Sequence, residues 1–146
     1  MLSWLAKRVV DFQMRRLSAG DLRPSLWLDA PDVQMTFPGD SSWAIELHGK
    51  AEHERWLSRF VRSGIQIYAD EVVVKGFPWK VTLCVRGRDH LRSPAGELVY
   101  DNRWVIWGYM RWGKLKCYEV YEDTQKTEAL DRWLSDTNSP AAATVS

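Results

Sequence analysis

Cysteine is scarce in this chain. The two present, Cys84 and Cys117, stand in apolar or strand-like surroundings with no CxxC or Cys/His spacing. That argues against a disulfide framework or a thiolate-built zinc site, and fits two reduced thiols in a cytoplasmic protein. Neither sign of charge dominates: 20 Lys plus Arg oppose 19 Asp plus Glu, a formal net charge of +1. A dedicated nucleic-acid binder normally carries a basic surplus, so no nucleic-acid partner is expected. No run approaches the ~18 apolar residues of a membrane span. Lys7, Arg8 and Asp11 interrupt the opening MLSWLAKRVVDFQMRRL, which a signal peptide's apolar region would not tolerate. Ser41 and Ser42 lack a nucleophile-elbow context, and there is no glycine-rich phosphate loop. His48 and His53 lie five apart across Gly49 without the HExxH spacing, so neither a metal nor a cofactor is expected.

Aromatic bulk is what the chain has in excess. Nine Trp, five Tyr and four Phe within 146 residues supply apolar area for a core, a small-molecule pocket or a subunit interface. The length suits one domain with a single core. Leu2, Leu5, Val9 and Phe12 recur at helical spacing and predict a first helix ending near Gly20, packed by that stripe on a sheet rather than lying on a membrane. Arg23-Pro24 opens a short second helix through Leu28. Asp32 to Phe37 alternates as a strand, Asp40 to Trp43 is a loop, and Gly49 to Val61 is a helix with Trp56, Leu57 and Phe60 on one side. The period then drops to two, predicting strands over 65–75, 79–91, 98–112 and 115–122. A helix over 124–134 follows. The expected organisation is one α+β domain over residues 1–136, with a disordered Ser/Ala/Pro-rich tail over 137–146.

Several words in this order, DVQMTFPG, HGKAEHERWL, KGFPW, RDHLRSPAGELVYDNR and RWGKLKCYEVYEDTQKTEALDRWL, resemble the SnoaL-like branch of the nuclear transport factor 2-like superfamily. The resemblance covers nearly the whole chain before the tail. It implies a cone-shaped α+β barrel, a curved antiparallel or mixed sheet wrapped over three N-terminal helices with a pocket at the open end. The superfamily includes ketosteroid isomerases, limonene epoxide hydrolases, polyketide cyclases and non-catalytic binding domains, so its fold does not fix a function. Against the epoxide hydrolases' Asp–Arg–Asp trio, Asp89 matches one carboxylate, while Gly87 and Val120 fall on the other two positions. Where ketosteroid isomerases carry their base, this chain has Phe37.

Strand pairing assigns the cavity face. A two-residue turn at Trp112-Gly113 opposes Arg111 to Lys114, and continuing the register pairs Tyr109 with Lys116, Trp107 with Tyr118, Val105 with Val120 and Arg103 with Glu122. A three-residue loop at Pro94-Ala95-Gly96 adds Asp89 opposite Asp101 and Gly87 opposite Arg103. One slipped residue would exchange faces for a whole strand. On this register Asp89, Arg103 and Glu122 converge, with Tyr118, as candidate acid/base groups, because an Arg between crowded carboxylates can hold one ionised and another protonated. Trp107, Tyr109, Val105, Val120, Phe37, Trp43 and Trp56 are the expected pocket lining. His90 points to the opposite face.

The expected function is a SnoaL-like domain binding a small hydrophobic or polycyclic molecule. Two readings stay open: isomerase, cyclase or hydrolase chemistry by carboxylates, and a non-catalytic ligand-binding or dimerisation module. Trp104, Ile106, Met110, Leu115 and Tyr121 are expected to form an apolar patch on the convex face, giving a homodimer through the sheet. No membrane partner is expected.

Overall fold

In the computed structural model, which describes residues 2–144, ten elements follow one another. They are α1 (Leu2–Ser18), α2 (Arg23–Leu28), β1 (Asp29–Phe37), β2 (Ile45–His48), α3 (Lys50–Ser63), β3 (Gln66–Phe77), β4 (Lys80–Arg92), β5 (Leu98–Arg111), β6 (Lys114–Glu122) and α4 (Thr124–Asp136). The architecture is α+β, with a six-stranded mixed sheet in the order β2-β1-β6-β5-β4-β3. Only β1 and β6 run parallel. β2 and β3 remain as edges, so the sheet is curved but open rather than closed into a barrel. β2 itself, short and bounded by loop residues, was not expected; it pairs with β1 from Gln34↔His48 to Phe37↔Ile45.

Both hairpin turns have the expected register at their tips, Arg92↔Leu98 and Arg111↔Lys114. Each is then shifted by a β-bulge. Val99 is the extra residue on β5, so that Leu91 faces Tyr100; Lys116 is the extra residue on β6, so that Tyr109 faces Cys117. A bulge sends every later side chain to the other face of the sheet. The two shifts leave β4 and β6 in their expected mutual orientation and turn β5 over as a whole. The observed pairs are Asp89↔Asn102, Gly87↔Trp104, Val85↔Ile106, Gly108↔Tyr118, Ile106↔Val120 and Trp104↔Glu122. Arg103, Val105, Trp107 and Tyr109 therefore stand on the convex face, away from the cavity.

The helices lie against the concave face. α1 runs along β3: the Ser3 hydroxyl accepts from Val74 N at 3.3 Å, and fifteen residues later Ser18 Oγ accepts from Ile67 N at 2.9 Å. Its inward residues are Val10 and Leu17, whereas Leu2, Leu5, Val9 and Phe12 are exposed. The helix is apolar on two faces, and periodicity alone could not choose between them. α3 is stopped by Gly64, a left-handed cap at φ 78°, and turns His53, Leu57 and Phe60 inward. The Asp123 carboxylate caps α4 by accepting from Gln125 N and Lys126 N.

Two hydrophobic clusters result. One gathers Met35, Leu47, Phe60, Leu130 and Leu134; the other gathers Val10, Val72, Val85 and Trp104 beneath α1. Part of the expected disordered tail joins the first cluster, since Ala141 is fully buried and its carbonyl accepts from Arg59 Nε at 2.9 Å. Residues 145 and 146 of that tail lie outside the described residues. The space between the two clusters is the cavity.

Candidate active site: two polar poles in an apolar cavity

The cavity holds about 150 Å³ and is walled mainly by carbon, including Leu17, Phe60, Ile67, Leu83, Ile106 and Leu115. Of the expected site residues, Asp89, Glu122, Tyr118, Val120, Phe37 and Trp56 line it. Arg103, Val105, Trp107 and Tyr109 do not, because β5 is turned over. In their place β5 sends Trp104 and Ile106 inward. Trp43 is buried behind the wall, edge-on to Trp56 at 5.8 Å with the Arg59 guanidinium 3.9 Å over its ring.

Besides Gln13 and Ser25, polar groups enter this wall at two poles. At the first, three buried side chains from three elements form a hydrogen-bonded chain. His53 Nδ1 lies 2.5 Å from Asp29 Oδ2, and His53 Nε2 lies 2.6 Å from the Tyr118 hydroxyl. The tautomer with hydrogen on Nδ1 satisfies both contacts: Nδ1–H donates to the carboxylate, and the Nε2 lone pair receives the Tyr118 O–H. Burial, and then the Asp29 charge, push the Tyr118 phenol above its ordinary range, so the hydroxyl stays protonated at neutral pH. An Asp-oriented imidazole that accepts from a hydroxyl is the arrangement by which a weak acid becomes a usable base.

Two members of this chain, Asp29 and His53, are not among the site residues expected from the sequence. His53 stands three and four residues before Trp56 and Leu57, on the stripe that α3 buries, and that spacing is the signal that could have found it. Asp29 opens β1, three residues before the strand start expected at Asp32. The β1–β6 ladder is irregular from Asp29↔Leu115 to Gln34↔Cys117, and this irregularity belongs to the segment that carries Asp29 into the interior.

The second pole is a pair of carboxyl groups. Asp89 is only 7% exposed, and burial first, then the neighbouring Glu122, push its pKa up to about 8. Burial likewise raises Glu122 to about 7, against the pull of the Thr127 hydroxyl that donates to Glu122 Oε1. Asn102 Nδ2 bridges this pole, donating to the Tyr100 hydroxyl at 3.2 Å and to the Asp123 carbonyl at 3.0 Å. Asp89 Oδ1 and Trp104 Nε1 are buried in the same wall without hydrogen-bond partners. Tyr118 and Glu122 are four residues apart on one strand, so the poles are separated by about 13 Å of backbone, with Val120 between them. Among the described residues no three His, Cys, Asp or Glu side chains come together as metal ligands.

No family model matches this sequence, and neither does any curated protein. Solved structures do. An NTF2-like protein of unknown function from Burkholderia pseudomallei superposes with a TM-score of 0.66 at 21% identity, over 82% of this chain and 92% of that one. The chain has the NTF2-like fold. PrhC from Penicillium brasilianum matches with a TM-score of 0.70 at 14% identity, over 92% of this chain and 89% of that one. TerC, co-crystallised with polyporic acid, matches with a TM-score of 0.67 at 22% identity, over 84% and 95%. At such identities the likeness concerns the NTF2-like fold alone.

The raised carboxyl pKa values have a consequence for stability. A carboxyl held protonated in the folded chain and ionised in the unfolded one stabilises fully below about pH 4 and progressively less as pH rises toward its folded pKa. Wild-type melting temperature should therefore fall between about pH 5 and pH 8. Asp89→Asn removes the larger part of that slope and should melt about 5 °C above the wild type at the alkaline end. Melting curves followed by circular dichroism across this range test the assignment; parallel wild-type and variant profiles would refute it.

Proposed function

We propose that the cavity binds a small, largely apolar molecule with a polar atom at each end, and that Tyr118 transfers a proton at one of them. The carrying observation is the continuous Asp29–His53–Tyr118 chain, buried and with all three residues lining the cavity. In the forward sense the Tyr118 oxygen takes a proton from the ligand as its own proton passes to His53 Nε2, and Asp29 holds the resulting imidazolium. The reverse sense returns the proton. At the far pole the Asp89 carboxyl, with its pKa pushed up to about 8, donates a hydrogen bond that anchors the ligand's other polar atom, Glu122, at about 7, shares the remaining proton, and Trp104 Nε1 supplies a further donor. Proton transfer of this kind underlies isomerisation and cyclisation, the chemistry implied by the SnoaL-like resemblance, but it is carried by a tyrosine–histidine–aspartate chain rather than by carboxylates with Arg103. A cavity of this size takes one or two rings, since a comparable engineered cavity holds benzene. That supports a small hydrophobic ligand over a larger polycycle. The free thiols Cys84 and Cys117 fit a reducing, cytoplasmic setting.

An enolisable two-ring ketone tests the reading. In deuterated water the wild type should speed exchange of the α-hydrogens of 2-indanone, read by proton NMR. Tyr118→Phe and His53→Ala should each lower the rate about a hundredfold while the ketone still binds. Binding with no exchange in the wild type would favour the non-catalytic ligand-binding module, and no binding at all would remove the apolar-ligand reading.

We propose further that two copies pair through the convex face, with different anchors from those first expected. Trp104, Ile106 and Leu115 line the cavity instead and Met110 is half-buried, so the patch does not form as expected. Trp107 and Tyr121, each 54% exposed, replace it together with Val73, Val105 and Tyr109 on strands that carry no helix on this side. A twofold contact would bury them. Sedimentation should give a dimer at micromolar concentration and a monomer for Trp107→Glu; a monomeric wild type would contradict the assignment.

A further inference from the structure

One end of the molecule, apart from the convex face, collects exposed aromatic groups and lysines. The β3–β4 turn presents Phe77 stacked on Trp79 at 4.9 Å, and the β5–β6 turn presents Trp112, whose N–H donates to the Pro78 carbonyl at 2.7 Å. Lys114 of the same turn donates to the Trp27 carbonyl and lies 4.3 Å over the Trp27 ring, which brings the end of α2 to this pole. The Ser3–Val74 hydrogen bond brings the start of α1, and with it Trp4, to the same end. Trp27 and Trp112 are 70% and 72% exposed, and Trp4, Phe77 and Trp79 are more than half exposed.

The charge around these groups is mainly basic. No Asp or Glu occurs between Glu71 and Asp89 or between Asp101 and Glu119, and those stretches bring Lys75, Lys80, Arg111 and Lys114 to this end, while Lys7 and Lys116 are each paired to an acid, Asp11 and Asp32. The chain as a whole is nearly neutral, so the acids are concentrated elsewhere, in part around Glu97, Asp101, Glu122 and Asp123 at the opposite end of the strands. A second observation concerns strain. Trp112 sits at φ 50° and Gly113 at φ 77°. A two-residue turn of this kind is best made by Asn-Gly, and a bulky side chain at positive φ is strained. The chain holds a strained tryptophan that points into water, where packing gives nothing back. Strain at an exposed side chain points to a task outside the fold.

We propose that this end docks on an anionic lipid surface, with the tryptophans at headgroup depth and the lysines paired to lipid phosphates. Tryptophan and phenylalanine beside lysine and arginine are the residues that settle at a membrane interface. The outward stripe of α1, Leu5, Val9 and Phe12, continues the apolar surface along the helix, and aliphatic groups of this kind favour lipid over stacked nucleobases. The inner faces of α1 and α2 line the cavity, so a docked molecule would hold that wall close to the lipid. Among the described residues no helix is long and apolar enough to cross a membrane, so the docking would be peripheral. The proposal stands independently of the proton-transfer reading.

The test is flotation of the full chain with vesicles of phosphatidylcholine, with and without phosphatidylglycerol, at low and high salt. The wild type should bind the anionic vesicles, shift its tryptophan emission to the blue, and release as salt rises. Trp112→Asn relieves the turn, so it should melt no lower than the wild type and yet bind at least about tenfold more weakly; Lys75→Glu with Lys80→Glu should do the same. No binding to anionic vesicles at low salt would overturn the proposal. So would equal binding by wild type and Trp112→Asn, binding to single-stranded DNA without binding to vesicles, or a wild-type self-association that Trp112→Asn abolishes in the absence of vesicles.

Discussion

A buried hydrogen-bonded chain of ionisable side chains fixes how α3 sits on the sheet. Asp29 enters from β1, His53 from α3 and Tyr118 from β6, and their two contacts at 2.5 and 2.6 Å leave little freedom in the helix's position. Taking a carboxylate out of water costs several kcal/mol unless its hydrogen bonds are replaced, and one oxygen of Asp29 has no replacement. An apolar core of the same volume would hold the layers together with less to satisfy. The chain is retained at a cost to stability, on the side of the cavity where a ligand would meet it. The carboxyl pair at the other pole repeats the pattern, because burial holds Asp89 and Glu122 protonated well above the ordinary carboxylate range.

Element order and type were largely legible in the amino-acid sequence, because strand alternation, the turn residues at Trp112-Gly113 and Pro94-Ala95-Gly96, and the Gly64 cap are local signals. The facing of β5 was not. Both turns were read with their correct closing pairs, and the register was lost one or two pairs later at Val99 and Lys116, where no glycine or proline marks the bulge. Asp89, Glu122, Tyr118 and Val120 kept their places because β4 and β6 carry compensating shifts relative to β5. Arg103, Val105, Trp107 and Tyr109 were displaced together for the same reason. The α1 stripe shows a different limit: two apolar faces of one helix compete, and only the tertiary contacts of Ser3, Val10 and Ser18 decide between them.

The molecule is polarised along its strands. Protonatable carboxyls gather where β4, β5 and β6 approach α4, while lysines and exposed tryptophans gather at the opposite turns. A net charge of +1 conceals this separation. The cavity lies between the two ends, with the Tyr118 chain partway along it, so that the acid-rich interior, the relay and the basic aromatic rim are three consecutive zones of one sheet.

The direction of the hydrogen bonds in the relay decides whether Tyr118 can accept a proton, and long-range nitrogen–proton NMR of the His53 imidazole measures it directly. An Nδ1-protonated tautomer is expected at neutral pH, with a slowly exchanging Nδ1 proton that is lost in Asp29→Asn. An Nε2-protonated ring, donating to the Tyr118 oxygen, would contradict it.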